Sequence, residues 1–118
     1  MSNIEQTLSI IKPDAVERNL DSQIKDMFRA NGFTIVQEKK IQIEKQEAEK
    51  FYKVHETKPF YNDLCDYLSS GPIVVMILEK KDAVLSNREL MGATNPKEAK
   101  VGTIRKKYGI SIDKNSVH

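Results

Sequence analysis

The sequence has one cysteine and no apolar run of the length that crosses a membrane. With Cys65 alone an internal disulfide cannot form, and a reducing compartment is allowed. The longest apolar stretch covers only residues 73 to 78, and no basic-then-apolar signal segment opens the chain. We therefore expect a cytoplasmic protein that does not act in a membrane.

The sequence also lacks the motifs of several common enzyme classes. It holds no Gly-rich Walker loop, no dinucleotide-binding fingerprint, no Cys and His spacing typical of a metal site, and no GxSxG nucleophile elbow. Internal repeats, low-complexity tracts and linkers are missing too, so we predict a single domain over residues 1 to 118. A composition of 39% apolar and 31% charged residues is ordinary for one globular domain.

Positive charge is concentrated in the last third of the chain. Residues 92 to 118 hold six Lys or Arg against two acids, a net +4, whereas the whole chain is only +2. From residue 92 the sequence loses helical and strand periodicity, which predicts a long loop with a single helical turn over residues 103 to 107. Loops of this length inside a domain are normally functional or disordered. A positive loop on a mildly negative body indicates a small anionic ligand rather than a nucleic acid.

Alternating and helical spacing of apolar residues predicts the elements that precede this loop. Strands are predicted over residues 6–11, 33–43 and 73–78. Helices are predicted around residues 20–28, 44–54, 60–68 and 83–91. A fourth short strand over residues 116–118 would complete an α+β fold of the ferredoxin-like, split βαβ type, with a four-stranded antiparallel sheet, helices on one face and a long active-site loop.

Cationic and polar side chains in or beside the loop are the candidates for a functional site. They are Lys12, Arg88, Thr94, Arg105, Asn115 and His118. Arginine grips phosphate oxygens with a planar fork, lysine acts as a point charge, and threonine adds a hydroxyl donor. Histidine can be a neutral nucleophile close to pH 7. These residue types together are typical of phosphoryl transfer, in which the protein mainly positions the reacting groups and neutralises the negative charge of the phosphates.

Each candidate also has a structural interpretation that the residues alone leave open. Arg88 and Arg105 could be solvated helix charges. Lys12 could simply close a strand, and a histidine in last position, as His118 is, is often a frayed end.

A structural interpretation is also open for two aromatic residues, for the second histidine and for the cysteine. Tyr52 and Phe60 lie at helical spacing, where such residues are more often part of the core. We interpret His55 as a surface or packing residue and Cys65 as a small buried hydrophobe.

Several separated blocks of the sequence together resemble nucleoside diphosphate kinases. The blocks are TLSIIKPDAVERN, FYKVHETKPFY, NRELMGATNPKEA, GTIRKKYG and NSVH. The resemblance implies that the γ-phosphate of a nucleoside triphosphate passes to a nucleoside diphosphate by a ping-pong mechanism, through a phosphohistidine on His118. It also implies a Mg²⁺ cofactor held mainly by the nucleotide phosphates, with no protein side chain as metal ligand.

The resemblance further implies a role for each residue that matches the family motifs. The implied catalytic residues are His118, Lys12 and Tyr52. The implied nucleotide-binding residues are Lys12, Phe60, Arg88, Thr94, Arg105, Ile112 and Asn115. In this arrangement Phe60 stacks on the base opposite Ile112. Because stacking does not read base edges, the resemblance implies broad nucleotide specificity.

The chain departs from the family pattern after His118. Family members continue with Gly-Ser-Asp and a further helix and tail, so we expect this sequence to lack the C-terminal helix and tail. Because the missing segment orients the imidazole, the alternative is a catalytically impaired nucleotide-binding or regulatory module. A third hypothesis, an RNA-binding domain on a similar scaffold, is disfavoured because the aromatic-rich strand motif of such domains is absent.

The resemblance also predicts the partners. Nucleoside tri- and diphosphates are the expected ligands, with no membrane and no nucleic acid as primary ligand. The family assembles from dimers into hexamers or tetramers, so a homo-oligomer is expected.

Overall fold

Three antiparallel strands lie at the centre of the computed structural model, which describes residues 4 to 111 and 114 to 118. β3 (Ile73–Lys81) is the central strand, with β1 (Ile4–Ile11) on one side and β2 (Thr34–Ile41) on the other. Both pairings are antiparallel. A central strand is buried on both faces, which is why residues 73 to 78 are apolar at every position. The predicted α+β class is confirmed.

Besides the three strands, the described residues form six α-helices and one turn of 3₁₀ helix. They are α1 (Pro13–Glu17), α2 (Asp21–Ala30), α3 (Lys45–Phe51), the 3₁₀ turn Lys53–His55, α4 (Tyr61–Leu68), α5 (Ala83–Met91) and α6 (Ile104–Tyr108). Pro13 begins α1, where the amide that proline lacks would have no partner. Thr103 caps α6 by accepting a hydrogen bond from the Lys106 amide. None of these helices has the length and apolar character needed to cross a membrane.

Apolar clusters lie on both faces of the sheet. Alternate residues of β3 point to opposite faces. Val74, Met76 and Leu78 join a cluster with residues of α1, α2 and α5, whereas Ile73 and Val75 join a second cluster with residues of α3 and α4. The prediction that helices pack on one face only is therefore wrong, because helices also cover part of the other face, at Ile73 and Val75.

The β2 strand changes the face that its side chains occupy. A bulge lies between Ile35 and Gln37, where the pairing with β3 shifts. Ile35 packs with the first apolar cluster, whereas Ile41 packs with the second. The simple alternation predicted over residues 33 to 43 therefore holds only on each side of the bulge.

The predicted fourth strand is also wrong. Residues 116 to 118 form only an isolated antiparallel bridge, between Val117 and Ile11 at the end of β1. The Ser116 backbone has a φ of 75°, which interrupts the extended conformation that a strand requires. The described residues therefore form a three-stranded sheet with a short segment held against the outer side of β1.

Two glycines fix the ends of the loop between α5 and α6. Gly92 ends α5 with a φ of 85°, and a Cβ added there would lie 2.6 Å from Thr103 Oγ1 and 2.8 Å from Thr103 Cβ. Gly102 has a similar φ of 92°, yet among the residues that the structure describes an added Cβ would meet nothing within 4 Å. Both positions favour glycine for its backbone freedom, but only Gly92 is also needed for a close approach.

We expect Gly92→Ala to lower the free energy of unfolding by about 2–4 kcal/mol, because positive-φ strain adds to the conflict with Thr103. The matched control Gly102→Ala carries the strain alone and should lose about 1 kcal/mol. Urea denaturation followed by circular dichroism measures both losses. Equal losses in the two variants would show that the contact with Thr103 is unimportant.

Candidate active site

A single cavity of about 410 Å³ brings together most of the residues that the sequence singled out. Its lining side chains come from the end of β1, the α3–α4 region, the loop after α5, α6 and the last residues of the chain. They are Lys12, Tyr52, His55, Phe60, Leu64, Thr94, Arg105, Asn115 and His118. Seven of the nine predicted site residues therefore line one cavity.

A chain of hydrogen bonds joins three separate segments at the polar end of this cavity. Lys12 Nζ donates to Asn115 Oδ1 at 2.8 Å, and Asn115 Nδ2 donates to the Thr94 carbonyl oxygen at 3.1 Å. The Lys12 and Asn115 side chains are both buried. Because buried polar groups that are hydrogen-bonded have little freedom, the ammonium group is held in a defined position.

Arg105 supplies a second fixed positive charge. Its Nη1 donates to the Gly92 carbonyl oxygen and its Nη2 donates to the Val117 carbonyl oxygen, both at 3.0 Å. Burial lowers the pKa of the guanidinium, but arginine stays protonated in proteins. Within the described residues the buried Arg105 Nε has no hydrogen-bond partner. Two of the five N–H donors of the guanidinium are thus used by backbone carbonyl oxygens, and the others include donors for a ligand.

The His118 ring packs against two aromatic rings. Its centroid lies 4.8 Å from that of Phe51 and 5.7 Å from that of Tyr52, in edge-to-face arrangements. Although His118 is exposed as a residue, burial of the ring and then the charges of Lys12 and Arg105 lower its pKa from 6.5 to about 4. A histidine with so low a pKa is neutral at pH 7, so one ring nitrogen keeps a lone pair.

A strained turn separates Asn115 from His118. The Val117 amide donates to the Asn115 carbonyl oxygen at 2.9 Å, and Ser116 between them has a φ of 75°. These are the features of a γ-turn with positive φ, which is rare and costs on the order of 1–3 kcal/mol outside glycine. The turn lets Asn115 reach Lys12 while the His118 backbone pairs with β1.

Tyr52 belongs both to the core and to the cavity. It is buried in the second apolar cluster, and its ring also contacts His118. Burial, as the main cause, raises the pKa of the phenol to about 12, so Tyr52 is neutral at pH 7. Tyr52 therefore lies in the core and also lines the cavity, while its role in catalysis stays a prediction.

His55 and Leu64 also line the cavity, although the sequence did not single them out for a site. The His55 ring lies 6.3 Å from the Tyr52 ring and 5.9 Å from the Phe60 ring, measured between centroids. Our interpretation of His55 as a surface or packing residue was thus incomplete. A signal was available, because His55 follows Tyr52 by three positions, which places the two side chains on one side of a 3₁₀ turn.

Two predicted residues are not brought into the cavity by the described structure. Arg88 is exposed on the last turn of α5 and lines a separate cavity of about 620 Å³ with Gly92 and Thr103 among others. Ile112 lies outside the described residues.

Comparison with known proteins shows the family. The family model described as nucleoside diphosphate kinase matches residues 5 to 118. The chain belongs to the nucleoside diphosphate kinase family. Its activity is therefore the transfer of a phosphate between nucleoside tri- and diphosphates. The alternative of a catalytically impaired binding module receives no support from the comparisons.

Individual relatives agree with the family assignment. The nucleoside diphosphate kinase of a Nitratiruptor species is 59% identical over 115 residues, which cover 98% of this chain and 84% of that protein. The structure of the Aquifex aeolicus nucleoside diphosphate kinase superposes with a TM-score of 0.95 at 39% identity, covering 98% of this chain and 84% of that one. A halophilic nucleoside diphosphate kinase from Halobacterium salinarum in complex with CDP gives a TM-score of 0.95 at 37% identity, with 98% and 76% covered.

In the ligand-free protein the His118 ring should titrate near pH 4 rather than near 6.5, as followed by NMR chemical shifts of the imidazole. Above that midpoint the ring is neutral, and below it the ring is a cation without a free lone pair. Lys12→Gln should raise the midpoint because it removes one of the depressing charges.

The matched control for that titration is Lys39→Gln. Lys39 is exposed on β2 and does not line the cavity. Its replacement changes the net charge by the same amount but should leave the His118 midpoint in place. A midpoint near 6.5 in the unmodified protein would contradict the effect of burial.

Proposed function

We propose that this phosphate transfer proceeds by a ping-pong mechanism through a phosphohistidine on His118. In the first half-reaction a neutral ring nitrogen forms a bond to the γ-phosphorus of a nucleoside triphosphate. The bond between that phosphorus and the bridging oxygen breaks, and the nucleoside diphosphate leaves with the electron pair. The second half-reaction reverses these steps with a different nucleoside diphosphate. The observation that carries the proposal is a neutral His118 ring in one cavity with Lys12 and Arg105.

The cationic groups fit the charge that such a reaction develops. Lys12 and Arg105 are both buried, so they oppose phosphate charge in surroundings that screen it less than water does. Asn115 and Thr94 add polar groups at the same end of the cavity. Arg88 remains a proposed phosphate ligand, which would reach the site from the last turn of α5.

The other end of the cavity suits a nucleotide base. Phe60 is 43% exposed, which leaves ring surface free for stacking, and Leu64 lines the same cavity. The Lys58 ammonium lies 5.7 Å from the Phe60 centroid. Stacking does not read base edges, so broad nucleotide specificity is proposed. Ile112, the proposed partner on the other side of the base, lies outside the described residues.

We also propose that Mg²⁺ enters the site with the nucleotide. In the part of the chain that the structure describes, no three His, Cys, Asp or Glu residues come together as a metal site. The cavity lining is cationic or neutral, which fits a metal held by phosphate oxygens rather than by carboxylates. When bound, Mg²⁺ would neutralise part of the phosphate charge, and no side chain of this chain is proposed as its ligand.

A homo-oligomer, a hexamer or tetramer built from dimers, is proposed from family membership. The edge position of β2 supports association, because it leaves backbone groups unpaired, and exposed Val36 lies on that strand. A cytoplasmic location is proposed as well, and the free thiol of buried Cys65 fits a reducing compartment.

Incubation with Mg-ATP carrying a labelled γ-phosphate tests the mechanism. The unmodified protein should acquire an acid-labile label that added GDP removes completely. His118→Ala should lose the label to background, a fall of at least about a thousandfold, because no nucleophile remains. ADP binding, followed by calorimetry, should persist in this variant since the phosphate and base contacts are intact.

His55→Ala is the control for that experiment. It removes the other histidine of the cavity, so at saturating nucleotide it should still take up the label on His118. A label that survives His118→Ala, or one lost only in His55→Ala, would overturn the assignment of the nucleophile.

A further inference from the structure

A buried carboxylate outside the cavity connects three of the elements that carry the site. Asp14 lies in α1, two residues after Lys12, and its side chain is only 4% exposed. A buried carboxylate is costly unless several groups bond to it. The partners of Asp14 are a tyrosine of α4 and the arginine that caps the C-terminus of α1, which also extends to α6. Within the described residues, Asp14 Oδ2 makes an ion pair but no hydrogen bond.

The first partner is Tyr67 on α4. Its hydroxyl accepts a hydrogen bond from the Asp14 amide at 2.9 Å and donates to Asp14 Oδ1 at 2.5 Å. Burial, followed by the bond to Asp14, raises the pKa of the phenol far above its usual range, so Tyr67 remains a donor. One hydroxyl thus holds both the backbone and the side chain of the residue that follows Lys12-Pro13.

The second partner is Arg18. Its Nη2 lies 3.6 Å from Asp14 Oδ2 as an ion pair, and its Nε donates to the Asp14 carbonyl oxygen at 3.2 Å. The same Nη2 donates to the Tyr108 carbonyl oxygen at 2.5 Å. Tyr108 ends α6, one helical turn after Arg105. Arg18 therefore connects the start of α1 to the helix that presents the second cation of the cavity.

We infer that Tyr67 and Arg18 are positioning residues, which act through Asp14 to hold the Lys12 turn in register with α4 and α6. Neither they nor Asp14 line the cavity, so they do not touch the nucleotide. The inference rests on the proposed placement of the phosphates between Lys12 and Arg105. Its physical basis is that phosphoryl transfer depends on placing charges accurately, so that a shift of about 1 Å can cost on the order of a hundredfold in rate.

The sequence offers a matched pair of tyrosines for the test. Tyr67 and Tyr61 both lie on α4, and each makes hydrogen bonds through its hydroxyl. Tyr61 donates to the Glu49 carbonyl oxygen at 3.0 Å, which joins α4 to α3 but does not reach Asp14. Tyr67→Phe and Tyr61→Phe each remove one hydroxyl and keep the ring, so a general loss of stability affects both.

Steady-state kinetics with ATP and a nucleoside diphosphate separate positioning from stability. Tyr67→Phe should lower kcat/KM about tenfold, with most of the loss in kcat, because Lys12 loses its fixed place relative to the phosphoryl group. Tyr61→Phe should stay within about twofold of the unmodified enzyme. Equal effects of the two variants, or no effect of Tyr67→Phe, would overturn the inference.

The titration of His118 gives a second readout that a merely structural role would not move. Because the Lys12 charge depresses the His118 pKa, a displaced Lys12 in Tyr67→Phe should shift the NMR midpoint upward. Tyr61→Phe should leave the midpoint unchanged. An unchanged midpoint in both variants counts against displacement of Lys12.

Arg18 provides an independent pair should Tyr67→Phe fold poorly. Arg18→Gln removes the connection from Asp14 to Tyr108 and should lower kcat several-fold. Arg29→Gln removes an exposed ion pair with Asp26 on α2 and should leave kcat unchanged. Equal kcat values would overturn this arm of the inference. Failure of the proposed mechanism is distinct, since in that case His118→Ala would keep its phosphate label.

Discussion

The site depends on the pairing of His118 with the last residues of β1. The Ile10 amide donates to the His118 carbonyl oxygen at 3.0 Å, and the His118 amide donates to the Ile10 carbonyl oxygen at 2.8 Å. Lys12 follows two residues later, and its amide donates to the Ser116 carbonyl oxygen at 2.7 Å. Backbone pairing with an ordered strand therefore sets the distance between His118, the proposed nucleophile, and the neighbouring cation Lys12. The aromatic rings on α3 and after it then fix the orientation of the imidazole.

The same arrangement combines burial with positive charge, and both lower the pKa of His118. Burial disfavours the imidazolium, and nearby cations disfavour it further. Arg105 keeps its full charge because both of its hydrogen bonds go to backbone carbonyl oxygens, which orient the guanidinium without neutralising it. The cavity therefore favours an anionic ligand and an uncharged imidazole together, which is the combination that the proposed attack on a phosphate requires.

Local patterns predicted the elements but not how they pack. The apolar run of residues 73 to 78 identified the central strand, and loss of periodicity identified the loop and the short α6. The bulge in β2 was missed because the residues on each side of it keep the same alternation in sequence. The fourth strand was wrongly predicted because the positive φ of Ser116 has no signature in a residue type that rarely adopts it.

The candidate site residues were predicted largely by resemblance. The contacts that hold these residues in place could not be predicted from the sequence. Motif blocks pointed to Lys12, Arg105 and His118, but the bond between Asp14 and Tyr67 joins residues 53 positions apart. No periodicity connects such positions, because the contact exists only once α4 packs against the start of α1. His55 differs, because its spacing from Tyr52 is visible in the sequence, and the 3₁₀ turn after α3 brings it to the cavity.

The open surroundings of Gly102 have a practical consequence. The neighbouring Val101 is 91% exposed at the outer bend of the loop, whereas Gly92 at the base of the loop is in close contact with Thr103. Exposed bends of this kind tolerate inserted sequence, since few contacts are lost there. Within one subunit, a short peptide tag or a spectroscopic label attached at this bend is therefore expected to disturb fewer contacts than one attached at the base of the loop.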